Sequence, residues 1–516
     1  MAQRRPNFIC FITDQQRADH MGCAGNPVIR TPNLDRIARG GVRFERAYCN
    51  NPLCMPSRAT LFTGRTARGH RVRSNGIPLE AGLPTIGDAL TDAGYRTHGI
   101  GKIHLRTFSL PSGLRPEQAD PVAFCESRDM WRSGRLAALP RPYYGLQTVE
   151  FCGGHGVDYW GDYRRWVDEA APGAMELTRP EKARVPPTGA DQSWKSALPE
   201  ELHPSKWIAD RAVAFLEEQQ AGRPFFLWVS FPDPHHPFCP VAPYDEMYPP
   251  KDVPMPARRE GELDHLPPHF KRIAEHGGLV SGRRAPTLMP DEHLREIIAH
   301  TYGMVSCVDA HLGRVLDALD ASPLAGDTVV AFMADHADLM GDHWLLNKGP
   351  FHLDGMVKVP FLWRWPGVFP EGVETAALGS LLDFAPTILD LAGVPVPEGP
   401  VPARPEAPQM LPAWAGVSLA PLLRGEADRV HESVVIENDE DYLGQRLRTL
   451  VTERHKLTLY AGQPYGELFD LEADPQELVN LWDDPASASL RADLTAQLAH
   501  QLALTDDRLP RRLTHA

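Results

Sequence analysis

The chain has 516 residues, 42% of them hydrophobic and 23% charged, and no apolar run approaches the roughly 20 residues needed to span a bilayer. A length like this buries a large core and exceeds a lone binding module. With 53 basic against 67 acidic residues the net charge is -14, which repels nucleic acid, so an anionic ligand requires a locally basic pocket.

In chain order, Phe8 to Thr13 is a short apolar run of the buried-strand type. Thr31-Pro32 then offers an N-cap and first helical position for a helix carrying Leu34 and Ile37, which stops at Gly40-Gly41. Pro84 to Ala93 repeats the helical pattern, Gly94 closes it, and Tyr95 to Gly101 returns as a strand. Ser109 to Pro204 is rich in Pro, Gly, Trp and Tyr with little periodicity and reads as an insertion of loops near a site rim; its Gly153-Gly154-His155-Gly156 stretch reads as a flexible loop. A helix over Pro204 to Gln220 leads into a strand at Pro224 to Phe231, and a long helix over Asp291 to Leu319 leads into a strand at Thr328 to Met333. Beyond a proline-rich connection, Gly393 to Gly416, short strands are predicted at Ser433 to Glu437, Leu447 to Thr452 and Lys456 to Tyr460, then a terminal helix at Ser487 to Leu502.

Strands alternating with helices indicate an α/β fold: a large, mostly parallel mixed sheet sandwiched by helices over 1–415, with a smaller C-terminal α+β domain carrying an antiparallel sheet over 416–516. Phe8 to Ile12 is too short for a secretory core and Asp14 follows it, so a cytoplasmic location without membrane contact is expected. The eight cysteines are scattered, without disulfide-framework or zinc spacing.

In open α/β sheets ligands bind beyond the carboxyl ends of the strands. Four predicted strands end in polar groups: Asp14-Gln15, Lys102 with His104, Asp233 with His235, and Asp335-His336. A histidine after a strand is commonly an ordinary loop residue, but four such endings on one edge point to a site.

The segment from Asn50 to Arg65 contains Cys54-Met55-Pro56-Ser57-Arg58 followed by Thr63-Gly64-Arg65. It closely resembles the signature of the sulfatase family, the formylglycine-dependent branch of the alkaline phosphatase superfamily. Gly101-Lys102-Ile103-His104, Pro234-His235-His236-Pro237, Asp335-His336 with Lys348, and Glu467 to Leu471 with Asp474-Pro475 match in the family's order. The resemblance implies an alkaline phosphatase-like fold and oxidation of Cys54 to formylglycine by a maturation enzyme. The hydrated aldehyde gives one hydroxyl to attack sulfur and a second to expel the product. The residues alone leave another option open: a helix beginning at Ser57 would place Cys54 just before its N-terminus, where a thiolate is also stabilised.

The resemblance further implies that Asp14, Gln15, Asp335 and His336 surround one divalent metal together with the modified Cys54. The commonest pattern has more carboxylates and an asparagine. Gln15 and His336 depart from it, and the softer imidazole makes manganese a competitor to calcium, with zinc behind. Arg58 is expected to pair with the nucleophile, and Lys102 and Lys348 to neutralise sulfate oxygens. His104 is expected to take a proton in the second step, and His235, with Lys348, to protonate the leaving oxygen in the first. Asn75 is a candidate substrate donor, in competition with an ordinary Asn-Gly turn. His236 and His343 read as structural neighbours.

These features predict an arylsulfatase-like hydrolase of small sulfate esters, with tolerance of phosphodiesters and phosphonate monoesters. A phosphonate monoester or phosphodiester hydrolase is the nearest alternative. The Asp-Gln and Asp-His metal set favours it, whereas Lys102 and His104 stand where those enzymes carry tyrosine and threonine. An unmodified, non-catalytic anion-binding relative is the alternative of another class, and a nucleic-acid phosphodiesterase ranks last. The aromatics Trp131, Tyr143, Tyr144, Tyr159, Trp160, Tyr163 and Trp166 could stack on a leaving group or simply form loop cores. A dimer or tetramer is expected by resemblance, and the tail Arg508 to Ala516, with Arg511-Arg512, reads either as a subunit contact or as a disordered end.

Overall fold

The computed structural model describes residues 5–219, 222–277, 287–397, 414–440 and 443–505. Its main sheet contains β1 (Asn7–Thr13), β2 (Gly41–Tyr48), β3 (Arg96–Gly101), β4 (Thr148–His155), β5 (Asp158–Gly161), β6 (Phe225–Ser230), β7 (Thr328–Ala334), β8 (Phe361–Arg364) and β9 (Val373–Ser380). Their order is β5-β4-β3-β6-β1-β7-β8-β2-β9. The four strands with polar endings, β3, β6, β1 and β7, are contiguous and mutually parallel, and Ile12 and Gly101 both pair with Ser230 while Thr13 pairs with Ala334. Their ends therefore lie level along one edge.

Every residue of β1, β6 and β7 is buried, because helices cover both faces and nothing is left to alternate toward water. One face packs Ile9, Phe11, Leu227, Val229, Val330 and Phe332 beneath the helices Pro204–Glu217 and Asp291–Asp320. On the other, Phe8, Cys10, Trp228, Ala331 and Trp363 pack with residues of the helices Cys54–Thr63, Ile86–Asp92 and Phe384–Ala392.

A second sheet, β10 (Ser433–Glu440), β11 (Gln445–Thr452), β12 (His455–Tyr460) and β13 (Gly466–Asp470), is antiparallel throughout and backed by the helix Ala488–Leu504 through Leu494 and Leu498. It docks on the segment preceding Cys54: Asn50 Nδ2 donates to Val435 O at 3.0 Å, Asn51 Nδ2 to Glu437 O at 2.7 Å, and Glu437 N to Asn50 O at 2.8 Å. The predicted division at 415/416 borders residues 398–413, which lie outside the described residues together with most of the proline-rich connection and the tail from 506 onward.

Two expectations are corrected. The 109–204 insertion is not only loops: it extends the sheet with β4 and β5 and adds the helix Asp162–Ala170. Gly153 and Gly154 belong to β4, paired with Trp160 and Tyr159 of β5, and glycine is required there because an added Cβ would lie 2.3 Å from Trp160 Nε1 and 1.9 Å from Asp158 O respectively. The helix expected from Ser57 begins at Cys54, since Leu53 is extended and its carbonyl already accepts from Ser57 N at 3.0 Å. Pro56 is tolerated in that first turn, where no N–H is required. All eight cysteines are free, and no helix among the described residues is long and apolar enough to cross a membrane.

Candidate active site

Backbone hydrogen bonds carry the sheet one step past its strands. Asp335 N donates to Thr13 O at 3.1 Å, Asp14 N to Asp233 O at 3.2 Å, and Lys102 N to Ser230 O at 3.0 Å. These bonds set Asp14, Lys102, Asp233 and Asp335 side by side. The helix Cys54–Thr63 meets this row with its first turn, tied down by Ser57 Oγ donating to Asp335 O at 2.5 Å. Gly64 ends that helix with φ 59°, and a Cβ there would lie 2.4 Å from the Trp414 ring, which is why a glycine follows Thr63.

Cys54, Arg58, Lys102, Asp14, Gln15, Asp335, His336 and Lys348 are all at most 3% exposed. Cys54 Sγ lies 2.9 Å from Lys348 Nζ, 3.1 Å from His336 Nε2 and 3.8 Å from Asp14 Oδ1. Arg58 makes four hydrogen bonds: Nε to Asp335 Oδ2 at 2.7 Å, Nη2 to Asp14 Oδ2 at 3.1 Å, and Nη1 to Lys102 O and Ser230 Oγ at 3.1 and 2.9 Å. Its charge is thereby committed to the two carboxylates. Lys102 Nζ also donates to Asp14 Oδ2.

Burial by itself would raise the Asp14 carboxyl, but Lys102, Arg58, Lys348 and His336 outweigh it and hold Asp14 well below the usual carboxylate range. Burial and Asp14 push the Cys54 thiol up, yet Lys348, Lys102 and His336 prevail and its pKa is lowered. Burial, reinforced by Lys102 and Arg58, drives His104 well below its ordinary value. Burial, His155, His236 and Lys348 do the same to His235. Both imidazoles are neutral near pH 7. His235 Nδ1 donates to His236 O at 2.6 Å, which leaves Nε2 as an acceptor 3.2 Å from Lys348 Nζ.

The donor set suits a divalent metal. Ligand atoms of Asp14, Cys54, Asp335 and His336 lie within 4.8 Å of one another. Gln15 Nε2 donates to Asp338 Oδ2 at 2.5 Å and to His236 Nδ1 at 3.0 Å, so both amide hydrogens are engaged. Gln15 Oε1 is left buried without a hydrogen-bond partner, as a metal-ligating carbonyl would be. His336 Nδ1 lies 3.0 Å from Ala337 O, and a hydrogen bond there turns Nε2 toward Cys54.

The structure thus brings together ten of the residues singled out from the sequence: Asp14, Gln15, Cys54, Arg58, Lys102, His104, His235, Asp335, His336 and Lys348. Asn75 is exposed and its Oδ1 accepts from Met55 N at 3.0 Å, so it supports the first turn of the Cys54 helix. His343 lies 3.3 Å from Glu262, apart from the cluster, as a structural residue. His236 does more than expected, since it helps to orient Gln15. Of the insertion's aromatics, Tyr143, Tyr159, Trp160 and Tyr163 are buried and Trp131, Tyr144 and Trp166 pack against the cores, so they are core residues, most of them on the insertion's strand and helices rather than in loops.

Three contributors were not read from the sequence. His155 stacks on His235 with ring centroids 3.6 Å apart. Asp338 fixes Gln15. Glu126 grips the backbone at His104. Only Asp338, an acid three residues beyond Asp335, carried a local signal.

The sulfatase family model matches residues 6–394, and the model for the C-terminal region of N-sulphoglucosamine sulphohydrolase matches residues 341–503. An arylsulfatase of Clostridium perfringens is 28% identical, over 92% of this chain and 90% of its own length. A multifunctional alkaline phosphatase superfamily protein of Trinickia caryophylli is 29% identical, over 99% and 97%. The solved phosphonate monoester hydrolase of Agrobacterium radiobacter shares the fold at a TM-score of 0.80 and 27% identity, over 97% of this chain and 96% of its own. With the family match covering most of the chain and including every residue of the cluster, the chain belongs to the sulfatase family.

Proposed function

We propose that the chain is a formylglycine-dependent hydrolase of small sulfate esters. The observation that carries this reading is the position of Cys54 Sγ, 2.9 Å from Lys348 Nζ and inside one cluster with Asp14, Asp335 and His336. Modification of Cys54 by a maturation enzyme supplies a hydrated aldehyde, one hydroxyl of which attacks sulfur while the other later expels sulfate. A divalent metal held by Asp14, Gln15, Asp335 and His336 supplies Lewis-acid charge. Calcium and manganese are its candidates, since the set mixes oxygen donors with one imidazole.

The remaining work falls to the chain's own residues. Arg58 holds Asp14 and Asp335 in place through its hydrogen bonds. Lys102 and Lys348, both buried, offset the negative charge of a bound sulfuryl group. His104, neutral at physiological pH, accepts a proton as the covalent ester collapses. Because His235 is also held neutral, the proton for the leaving oxygen resides on Lys348 and passes directly or through His235 Nε2.

Phosphonate monoester hydrolysis is the second reading. The Gln15 and His336 ligand pair and the likeness to the Agrobacterium radiobacter enzyme favour it. Lys102 and His104 favour sulfate. The test is turnover of a nitrophenyl sulfate against a phenylphosphonate ester on purified protein, with the Cys54 peptide analysed by mass spectrometry. Faster sulfate turnover on the modified protein is expected. Phosphonate turnover higher by orders of magnitude would reverse the assignment. A thiol persisting at Cys54 after expression with a maturation enzyme would favour a non-catalytic anion-binding relative. We also propose a dimeric or tetrameric assembly and a cytoplasmic location.

A further inference from the structure

Glu126 belongs to the insertion between β3 and β4 and is fully buried. Its Oε2 accepts from His104 N at 2.7 Å. Its Oε1 accepts from Leu105 N at 2.8 Å, Arg106 N at 3.0 Å and Tyr143 Oη at 2.5 Å. The reason lies in the sheet. β3 ends at Gly101, and Lys102 N makes the last bond to the neighbouring strand, so the amides that follow have no strand to pair with. Buried amides require acceptors, and one carboxylate here serves three in succession.

The segment so held includes His104 at φ 61°, a left-handed conformation uncommon for a non-glycine residue. Its ring lies flat on Phe108, with centroids 3.6 Å apart and planes at 16°. Phe108 meets Trp160 edge-on at 4.8 Å, and Trp160 Nε1 donates to Glu126 O at 2.9 Å. Glu126 thus fixes the His104 backbone through its side chain, and buttresses the His104 ring through its carbonyl by way of Trp160 and Phe108.

We propose that Glu126, supplied by the insertion, is a positioning residue for His104. The inference rests on the reading of His104 as the proton acceptor of the second step. A misplaced acceptor loses rate without weakening substrate binding, so the effect belongs in kcat.

Glu126→Gln tests this sharply. Its carbonyl oxygen can keep the three donors at the Oε1 position, whereas its amide nitrogen, set at the Oε2 position, cannot accept from His104 N. The expected loss of kcat on nitrophenyl sulfate is about 10²-fold, with KM falling alongside it because the covalent ester accumulates when its collapse is slowed. Glu126→Asp keeps the charge and recovers part of the loss. The deciding measurement is a double-mutant cycle: in a His104→Ala background, Glu126→Gln should cost less than about twofold more, because a residue acting through His104 has nothing left to position. If Glu126→Gln does not fold by thermal melting, Glu126→Asp enters the same cycle. Wild-type kcat in Glu126→Gln alongside an impaired His104→Ala, or a full additive loss in the double variant, would overturn the proposal. Undiminished turnover in His104→Ala would instead overturn the reading of His104, and this role with it.

Discussion

The Lys348 ammonium bridges the two ends of the reacting cluster, 2.9 Å from Cys54 Sγ and 3.2 Å from His235 Nε2. Since the Nδ1 hydrogen of His235 is taken by its neighbour's carbonyl, Lys348 is the donor across that bridge. A residue that protonates the departing oxygen matters most when that oxygen is strongly basic. Lys348→Ala is therefore expected to lower kcat about 10²- to 10⁴-fold on an alkyl sulfate. On nitrophenyl sulfate the loss should be markedly smaller. Equal losses across a series of leaving groups would show that Lys348 supplies only charge.

Gln15 and Asp338 lead to a second expectation. Asp338 Oδ2 accepts from Gln15 Nε2, while Asp338 Oδ1 accepts from Met340 N and Asn347 N, both at 2.8 Å. An amide whose two hydrogens are engaged presents its oxygen in one direction only. Asp338→Asn lets the Gln15 amide rotate. Titration calorimetry with manganese or calcium should show about 10- to 100-fold weaker binding. Gln15→Ala should be similarly impaired, and the double variant little worse than either single one. Unchanged affinity in Asp338→Asn would separate Gln15 from the metal.

What the sequence made legible follows burial. β1, β6 and β7 are covered on both faces, so each reads as an apolar run closed by an abrupt polar residue, and those closing residues are the site. β2 and β9 were not foreseen, since β2 interleaves Arg43, Glu45 and Arg46 with apolar residues and β9 has exposed Glu374 and Ala376 in its first half. β4 was hidden for another reason. Its glycines carry no strand preference, and what makes them a strand is pairing with β5, Gly153 opposite Trp160 and Gly154 opposite Tyr159, which only the folded chain supplies. The same division holds within the site. Cys54, Lys102 and Asp335 stand at fixed offsets from strands or motifs, whereas Glu126 reaches His104 from 22 residues away and His155 reaches His235 across the chain, so only folding brings them together.

The cluster also predicts how the protein responds to metal removal. Carboxylates and an imidazole gathered within 4.8 Å are better accommodated with a cation than without. Chelation should lower the thermal midpoint, and returned manganese or calcium should restore it, by about 2.7 kcal/mol of stability when the ion is at a hundred times its Kd. Cys54→Ala should keep most of this response, because Asp14, Gln15, Asp335 and His336 remain. A midpoint insensitive to both chelator and metal would argue against a resident ion.

His70 provides a pH dependence whose sign can be fixed from geometry. Its Nδ1 accepts from Val72 N at 3.1 Å, so that nitrogen carries a lone pair, and Nε2 lies 3.1 Å from Thr60 Oγ1 on the Cys54 helix. Protonation would turn the acceptor into a donor facing another donor. Burial, with Arg65 adding to it, accordingly lowers the His70 pKa from 6.5 to about 3. The unfolded chain thus binds a proton at His70 below pH 6.5 that the folded chain refuses. The stability this residue allows is intact above 6.5 and lost progressively as the pH falls toward 3, at about 1.4 kcal/mol per pH unit. His70→Gln cannot titrate and keeps an amide able to bond Thr60. Its stability relative to the wild type, measured by urea unfolding at pH 7, 6 and 5, should rise as the pH falls. A difference that stays constant across that range would mean that His70 already titrates near its ordinary value in the folded chain.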